Sequence, residues 1–575
     1  MAKKKELKSA GEISNLVTDF ENKHSSLHAR MDADFDLWRL KEYKLDAYSD
    51  NVTSTYPRFY AQAVLGQLSG AKLNIAIHRM DGQGELESKM ERAFFGWLRV
   101  IDEGLVNRLL PPLQSSVSFM AAIRGFIAGR NIFYKDGTPE IFPYDPRHLS
   151  WGMDSKGIIW SGYTTYREPY AIEFEYEYTP KPREKVRVNK KEISKAVEVI
   201  EWIDEDSYQV IVDDMAVNDE KDQKHDWGRP PVVLVPVGTT PLIISSSDKY
   251  GYVETWGDSV FGGSRGLYKV QSAVLSICLS LLAKSHRPSY FLFTPDGSMK
   301  LQGTPWGKGE ILPLPIDAKV EQVKPPDIAS SWYQFYQIID GLIHQADYPS
   351  LTYGQLWKGQ ELSGKSVQSL NENVEQIKGT LLQAMSTFYK TSLKKLGEQY
   401  LKLGEPSQVA GYDSKGRRFV DQATPDLFDG DYELEIEFRA ISPEQESANY
   451  AKAQVAKQSM LASDDFIREK LIQFQDPELI RDQMYSEKAE LLSPKVMALR
   501  VIESLRKQGK EQEADVLANE LAIALKQETM QQGQPQGQPM GQPPQGGQPP
   551  RGQPQQMPQG MPPQGQPPMG GMGGM

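Results

Sequence analysis

The sequence holds a single cysteine, Cys278, in 575 residues. One thiol excludes internal disulfides and points to a reducing compartment. No apolar run reaches the ~20 residues that cross a bilayer. The opening MAKKKELKSAGE has the charge of a signal n-region, but no apolar segment follows it, so no export signal is legible. Basic charge is also short: 65 Lys and Arg stand against 76 Asp and Glu, a net of −11. Tight, unspecific binding of nucleic acid needs phosphates neutralised, which this balance disfavours. A wall that repels phosphate can still let a duplex slide along it. Hydrophobic residues are 39% of the chain, and the shortfall sits mostly in 531–575. That stretch is nearly all Gln, Pro, Gly and Met, with Arg551 its only charge. It cannot bury enough apolar surface to offset its ordering entropy and reads as a disordered tail.

Catalytic signatures are scarce too. The seven histidines are scattered. His24 and His28 lie four apart on a presumed helix with no third ligand or acidic base beside them, and read as surface residues. No Cys/His cluster offers a metal set, and no G-x-S-x-G elbow is present. Asp213-Asp214 falls in a hairpin-like, solvated context. Asp32, Asp34 and Asp36, just before Leu37-Trp38, read as a first helical turn favourable to the helix dipole rather than as a metal site.

One formal motif stands out. Residues 359–366, GQELSGKS, spell a P-loop. Such a loop cradles phosphates between a buried strand and a helix N-terminus. A helix follows Ser366, but the preceding TYGQLWK lacks the apolar run of a central strand. Glu361 would place a carboxylate in the cradle, and no apolar strand ending in Asp follows to serve magnesium. The segment reads instead as a polar loop feeding a helix, with Ser363 near the cap. No catalytic, cofactor or metal residue is assigned, and the chain is not expected to be an enzyme.

What is present is a particular order of elements in an α+β chain. From about 12 to 130 the pattern is helical and rich in aromatics, with Leu73–Ile77 a short alternating strand. From 141 to 242 it turns β, mostly antiparallel, with alternating runs at 174–179, 185–190 and 208–214. A helix starts near Ser259 with Leu267, Val270, Val274, Ile277 and Leu281 on one face, and ends before Pro288. A compact β-like module spans 289–326. A second helix opens after Asp327, which can cap it, and carries Trp332, Phe335, Ile339 and Leu342. A glycine-bearing loop follows, then a long helix with Val367, Leu370, Val374, Ile377, Leu381, Met385 and Phe388 in one stripe. A strand at 432–438 and charged amphipathic helices to about 530 complete the chain. Two helices flanking a β tip leave apolar faces that copies in a closed ring would bury.

Several segments resemble those of tailed-bacteriophage portal proteins. WGDSVFGGSRGLY at 256–268 looks like the entry to their first stem helix. PVVLVP at 231–236 is similar to the strand just upstream. Tyr144-Asp145-Pro146-Arg147, Gly157-Ile158-Ile159-Trp160 and Leu362-Ser363-Gly364 before the long helix are similar as well. The resemblance covers roughly 30–530 and rests on element order and degenerate motifs. It implies a mixed α/β wing over 1–257, including the β region 141–242. It further implies stem helices at 258–286 and 327–346 around a β clip at 287–326. A tunnel loop at 347–365 and the long helix with the remaining wing at 366–441 follow, then a helical crown at 442–530 and the tail. It also implies a virion protein: a homo-oligomeric ring, typically dodecameric, at one capsid vertex. Double-stranded DNA passes through such a ring during packaging and ejection. Its other implied partners are terminase large subunit, major capsid protein, a head–tail adaptor and scaffold protein, without membrane or cofactor. The second stem helix has no Lys or Arg, so DNA-facing basic rings fall to Lys269 or Lys284, or to the loop lysines Lys358 and Lys365. The loop pair is preferred, with Tyr353 and Trp357 on the same loop. The alternatives are a P-loop ATPase using 359–366 and another capsid or scaffold structural protein.

Overall fold

The first helix, α1 (Ala10–Lys23), starts where its sequence dictates. The Ser9 hydroxyl accepts the Glu12 amide while the Glu12 carboxylate accepts the Ser9 amide, a reciprocal cap. Ile13, Val17 and Phe20, at helical spacing, bury one face. After His24 comes α2 (Ser25–Trp38), then α3 (Tyr56–Ser69) with Pro57 in its first turn. The helix start anticipated at Asp32–Asp36 is not there. These acids lie in the second half of α2, towards the end where the helix dipole disfavours them. Cations compensate: Arg147 donates to Asp32 at 2.9 Å, Arg265 Nη2 to Asp34 at 2.9 Å, and Lys41 to Asp36 at 2.8 Å.

The chain, seen in a computed structural model, is mixed α+β. It describes residues 7–45, 50–79, 84–181, 185–188, 191–194, 196–218, 223–225, 227–238, 256–286, 290–293, 319–322, 330–346, 364–412, 418–439 and 443–459, with short pieces at 463, 467, 488, 497–499, 501–502 and 515–523. Two units are distinguished, Met1–Pro477 and Glu478–Met575. In the second, the described residues are helical.

Within the first unit, β1 (Lys72–Arg79) leads to α4 (Gly84–Asn107) and α5 (Leu113–Phe119). A π-helical turn, Met120–Arg124, ends at Gly125 with φ +72°, and β2 (Phe126–Phe133) begins. This strand falls inside the stretch expected to be helical. All eight of its residues are buried, so it lacks the alternation that would have marked it. Then follow β3 (Pro139–Tyr144), β4 (Leu149–Asp154), β5 (Gly157–Arg167) and α6 (Pro169–Tyr176). Helix α6 replaces the strand expected from FEYEYT. Pro169 sets its first turn and Ile172 is buried, while Phe174 points to solvent, so the alternation there is of composition and not of burial.

Next come β6 (Lys185–Val188), β7 (Lys191–Ser194), β8 (Val197–Asp204), β9 (Tyr208–Val212), β10 (Met215–Ala216) and β11 (Val232–Pro236). They form the antiparallel β region foreseen from the sequence. One sheet runs β10-β9-β8-β5-β4, another β11-β2-β3, and β6 pairs with β7. Asp213 and Asp214 form the two-residue turn between β9 and β10, both at positive φ (52° and 62°).

The two larger sheets meet at a buried ionic knot. Arg130 on β2 donates to Glu140 on β3 at 2.9 Å and to Glu201 on β8 at 3.0 Å. Tyr144 and Tyr134 donate to these carboxylates at 2.8 Å each, and Arg167 reaches Glu201 at 2.9 Å. Burial opposes the Arg130 charge, but the surrounding tyrosines and carboxylates outweigh it and keep the guanidinium protonated. Burial would raise Glu140, yet Arg130, Tyr134 and Arg108 hold its carboxyl below the usual range.

The C-terminal half supplies α7 (Arg265–His286), the pair β12 (Tyr290–Phe293) and β13 (Lys319–Gln322), and α8 (Ser330–Ala346). It continues with α9 (Gly364–Leu403), β14 (Ser407–Tyr412), β15 (Arg418–Ala423), β16 (Tyr432–Arg439) and α10 (Pro443–Gln458). The two isolated strands read from the sequence pair with each other: β1 lies antiparallel to β16, Lys72 opposite Arg439 and Arg79 opposite Tyr432. Helix α9 crosses β2 and β16 and carries the centre of the core, with Leu381, Met385, Phe388, Leu393, Leu396 and Tyr400 buried. The first four residues of its anticipated stripe have side chains outside the described residues. Gly129 lets the helix approach, since a Cβ there would meet Phe388 at 2.9 Å. Trp97 stacks on Phe428 at 4.9 Å and meets Tyr400 edge-on at 5.3 Å.

Candidate functional site

The stretch that opens the helical hairpin, 256–268, is a tight joint. Gly257 takes φ +60°, and a Cβ on it would lie 2.2 Å from the Gly125 carbonyl, so only glycine fits. Arg30 donates to the Gly257 carbonyl at 2.6 Å. Arg265, opening α7, clamps Asp34 and reaches Asp258 at 3.1 Å, and the Ser259 hydroxyl donates to Asp34 at 2.8 Å. Asp34 is fully buried, so this pairing ties the root of α7 to α2. The helix starts at Arg265 rather than near Ser259, because 259–264 are spent on these turns.

A row of hydroxyls runs up α7. Ser272, Ser276 and Ser280, four residues apart, accept the backbone amides of Ser54, Val52 and Asp50 at 3.2, 2.9 and 2.9 Å. Two residues of extended chain advance about 6.8 Å, and four of helix about 6.0 Å, so the two rows stay in register. The Ser54 hydroxyl also donates to Gln271 at 2.7 Å.

Helices α7 and α8 pack on each other, and their inner faces join the main core through Tyr268, Val274, Ile339 and Ile343. Their outer faces are apolar and open. Val270, Leu279 and Leu282 on α7 are 41%, 42% and 56% exposed. On α8, Tyr333, Phe335, Ile338 and Leu342 are 71%, 47%, 58% and 44% exposed. The single stripes expected from periodicity are therefore divided: Val274 and Ile339 face inward, while Val270, Phe335 and Leu342 face out. From Ser330 to Ala346 the only ionisable acid–base pair is Asp340 and His344, 3.5 Å apart.

Of the residues expected to face DNA, Lys269 is exposed on α7. Lys284 lies near the end of α7 and Lys365 is the second residue of α9, with side chains outside the described residues. Tyr353, Trp357 and Lys358 lie outside the described residues altogether. So does the segment preceding Gly359, where a P-loop strand would stand, and so does the cap expected at Asp327. Among the six, Lys269 is the one whose side chain is described. The sequence did not disclose the serine row or the Arg265–Asp34 clamp, although the spacing of 272, 276 and 280 carried a signal for the first.

His28 is not a surface residue, and His24 is half-buried. The tight link between α1 and α2 folds them in: His28 is buried, and His24 lies parallel to Trp151 with centroids 6.4 Å apart. Burial, with Arg147 and His24 nearby, lowers His28 to about 4, so its imidazole is neutral at neutral pH. Among the described residues no group of three His, Cys, Asp or Glu is placed to hold a metal, and no helix is long and apolar enough to cross a membrane.

No family model and no curated protein matches the chain. Among solved structures, a chain from the neck of an empty gene transfer agent particle, computed with C6 symmetry, aligns with TM-score 0.38 and 11% identity over 73% of this chain and 90% of that one. A chain from the virion of a native gene transfer agent particle gives 0.36 and 10%, and one from the native neck computed with C12 symmetry gives 0.37 and 12%. Each covers 73% of this chain and 89% of the other.

Proposed function

We propose that the chain is the subunit of a closed homo-oligomeric ring through which double-stranded DNA passes, the portal of a tailed-phage capsid. One observation carries this reading: the outer face of the α7–α8 hairpin, whose inner face and root are already anchored, is lined by large exposed apolar side chains. Several large exposed apolar side chains on an anchored hairpin mark an interaction surface. Copies related by a rotation axis cover it without leaving an open end. Full burial of one such side chain contributes about 1.5–3 kcal/mol, so several per interface are enough to offset a loss of rotational and translational freedom of roughly 4–15 kcal/mol.

In this reading 258–286 and 327–346 form the stem, 287–326 the clip, and 347–365 the loop towards DNA. Residues 442–530 would be the crown. The ring touches phosphates only, since a conduit cannot read bases. It works without catalysis and receives DNA from terminase, with adaptors at the clip and capsid protein around the wing. Electron microscopy of the purified protein is the test. Rings with a duplex-wide channel are expected, and Phe335→Glu with Ile338→Glu should return them to monomers of unchanged secondary structure. Monodisperse wild-type monomers overturn the reading. Deletion of 350–358 should leave rings intact and abolish packaging, and unchanged packaging removes the DNA role from that loop.

A further inference from the structure

A groove far from the hairpin points to a second binding surface. Strand β11 is the outer strand of its sheet. Asn131 donates to the Pro231 carbonyl and Val237 to the Gly125 carbonyl, so the odd positions of 231–237 bond inward to β2. The even positions therefore turn the amides of Val232 and Leu234 to the open edge, where no described residue meets them. Beside this edge runs a groove of about 610 Å³, walled on one side by Thr380, Thr387 and Thr391 of α9 and on the other by the Gly157–Ile158 turn. It continues into a hollow of about 450 Å³ reaching Trp227 and Lys402.

The charge of this groove opposes that of the chain. Lys156, Arg229, Lys394, Lys395 and Lys402 line it. Glu398, Asp154 and Glu205 are the described carboxylates that act on these cations, and Asp154 is already held by both Arg229 nitrogens at 2.9 and 2.6 Å. Lys395 donates to the Pro230 carbonyl at 3.1 Å. Burial lowers its pKa, and the Arg229 charge adds to that against the pull of Glu398. Cations held this close in a protein of net charge −11 suit an anionic visitor.

We propose that this groove binds an extended acidic segment of a partner protein, added as a strand to the open edge of β11. Main-chain bonds to the amides of 232 and 234 give the register, and carboxylates on alternate residues meet the lysines of α9 and of the β4–β5 turn. A phosphate backbone would satisfy the charge alone. It would not use amides spaced for a strand, nor the apolar wall of Val232, Val235 and Ile158. The proposal is independent of the ring.

The probe is a fluorescent seven-residue peptide alternating glutamate and valine, titrated into the full-length protein and followed by anisotropy. Saturable binding is expected, with none for the lysine–valine counterpart. Leu234→Pro removes an outward amide without touching the ladder to β2, and should weaken binding at least about ten-fold, as should Lys156→Glu with Lys394→Glu. N-methylating alternate residues of the peptide in one register tests the same bond from the ligand side, whether or not the proline variant folds. No binding up to about 1 mM overturns the proposal. So does binding indifferent both to Leu234→Pro and to N-methylation in either register. Displacement of the peptide by a DNA oligonucleotide whose own binding depends on Lys394 but not on position 234 reassigns the groove to nucleic acid.

Discussion

The ionic knot around Arg130 and the outer face of the α7–α8 hairpin are built on opposite terms. In the first, a buried cation meets Glu140 and Glu201, two tyrosines bond the same carboxylate oxygens, and Arg108 and Arg167 take the other two. In the second, Tyr333, Phe335 and Ile338 keep 71%, 47% and 58% of their surface exposed. The knot is formed within one chain and ties two sheets together, although the buried Arg130 Nε has no hydrogen-bond partner. The hairpin face is half of something. Residues that finish their own contacts speak of the fold, and residues that leave them open speak of association.

That contrast predicts different consequences for damage. Arg130→Ala should be the most severe, because it leaves two carboxylates buried without their cation; the expected loss is about 3–5 kcal/mol of unfolding free energy, read from a denaturant midpoint. Loss below about 1 kcal/mol would mean that Arg108 and Arg167 carry the carboxylates alone. The outer face, by comparison, should change assembly and leave the midpoint in place.

A second, smaller effect belongs to the completed side of the comparison. His28 sits near 4 in the folded chain, below the 6.5 of a free imidazole. Above pH 6.5 it is neutral in both states and its contribution is whole. As pH falls from 6.5 towards 4, the unfolded chain takes up a proton that the folded one refuses, and at most roughly 3 kcal/mol is lost. Below about 4 the loss stops growing. The slope of stability against pH in that window should flatten in His28→Gln, and an unaltered slope would assign it to other groups.

Smallest is Ser276→Ala on the hairpin's inner side. It leaves the part-buried Val52 amide without its acceptor and should cost about 1 kcal/mol. Faster hydrogen exchange at the Val52 amide would accompany it. Unchanged exchange would show that the strap is held by Ser272 and Ser280 without it.

Much of the fold was legible. Strands with one wet face announced themselves, as in 432–439, where Leu434, Ile436 and Phe438 are buried between exposed glutamates, and so did helices with a clear stripe. What failed did so for identifiable reasons. The strand at 126–133 is buried on both faces and loses its alternation, so it merges with the helical text around it. The acids at 32, 34 and 36 were read through the helix dipole, while their cations come from 41, 147 and 265, and the last two are invisible to local pattern. The histidines at 24 and 28 were judged without Trp151, which lies over 120 residues on. The site fared differently. Periodicity found both hairpin helices but not which of their apolar residues look outward, because that depends on which neighbours they meet. The lysines and aromatics chosen for DNA were named from order along the chain, and of them Lys269 has a described, solvent-exposed side chain.

The serine row has a consequence for how this region can drift. On 50–54 its three hydroxyls read main-chain groups, the amides at 50, 52 and 54 and the Val52 carbonyl, and every amino acid except proline supplies such an amide. The strap is therefore recognised by its backbone and not by its spelling. The side chains at 50 and 52 are free to diverge from one descendant to the next, while the serines, which do the recognising, and Ser54, whose hydroxyl also meets Gln271, are not.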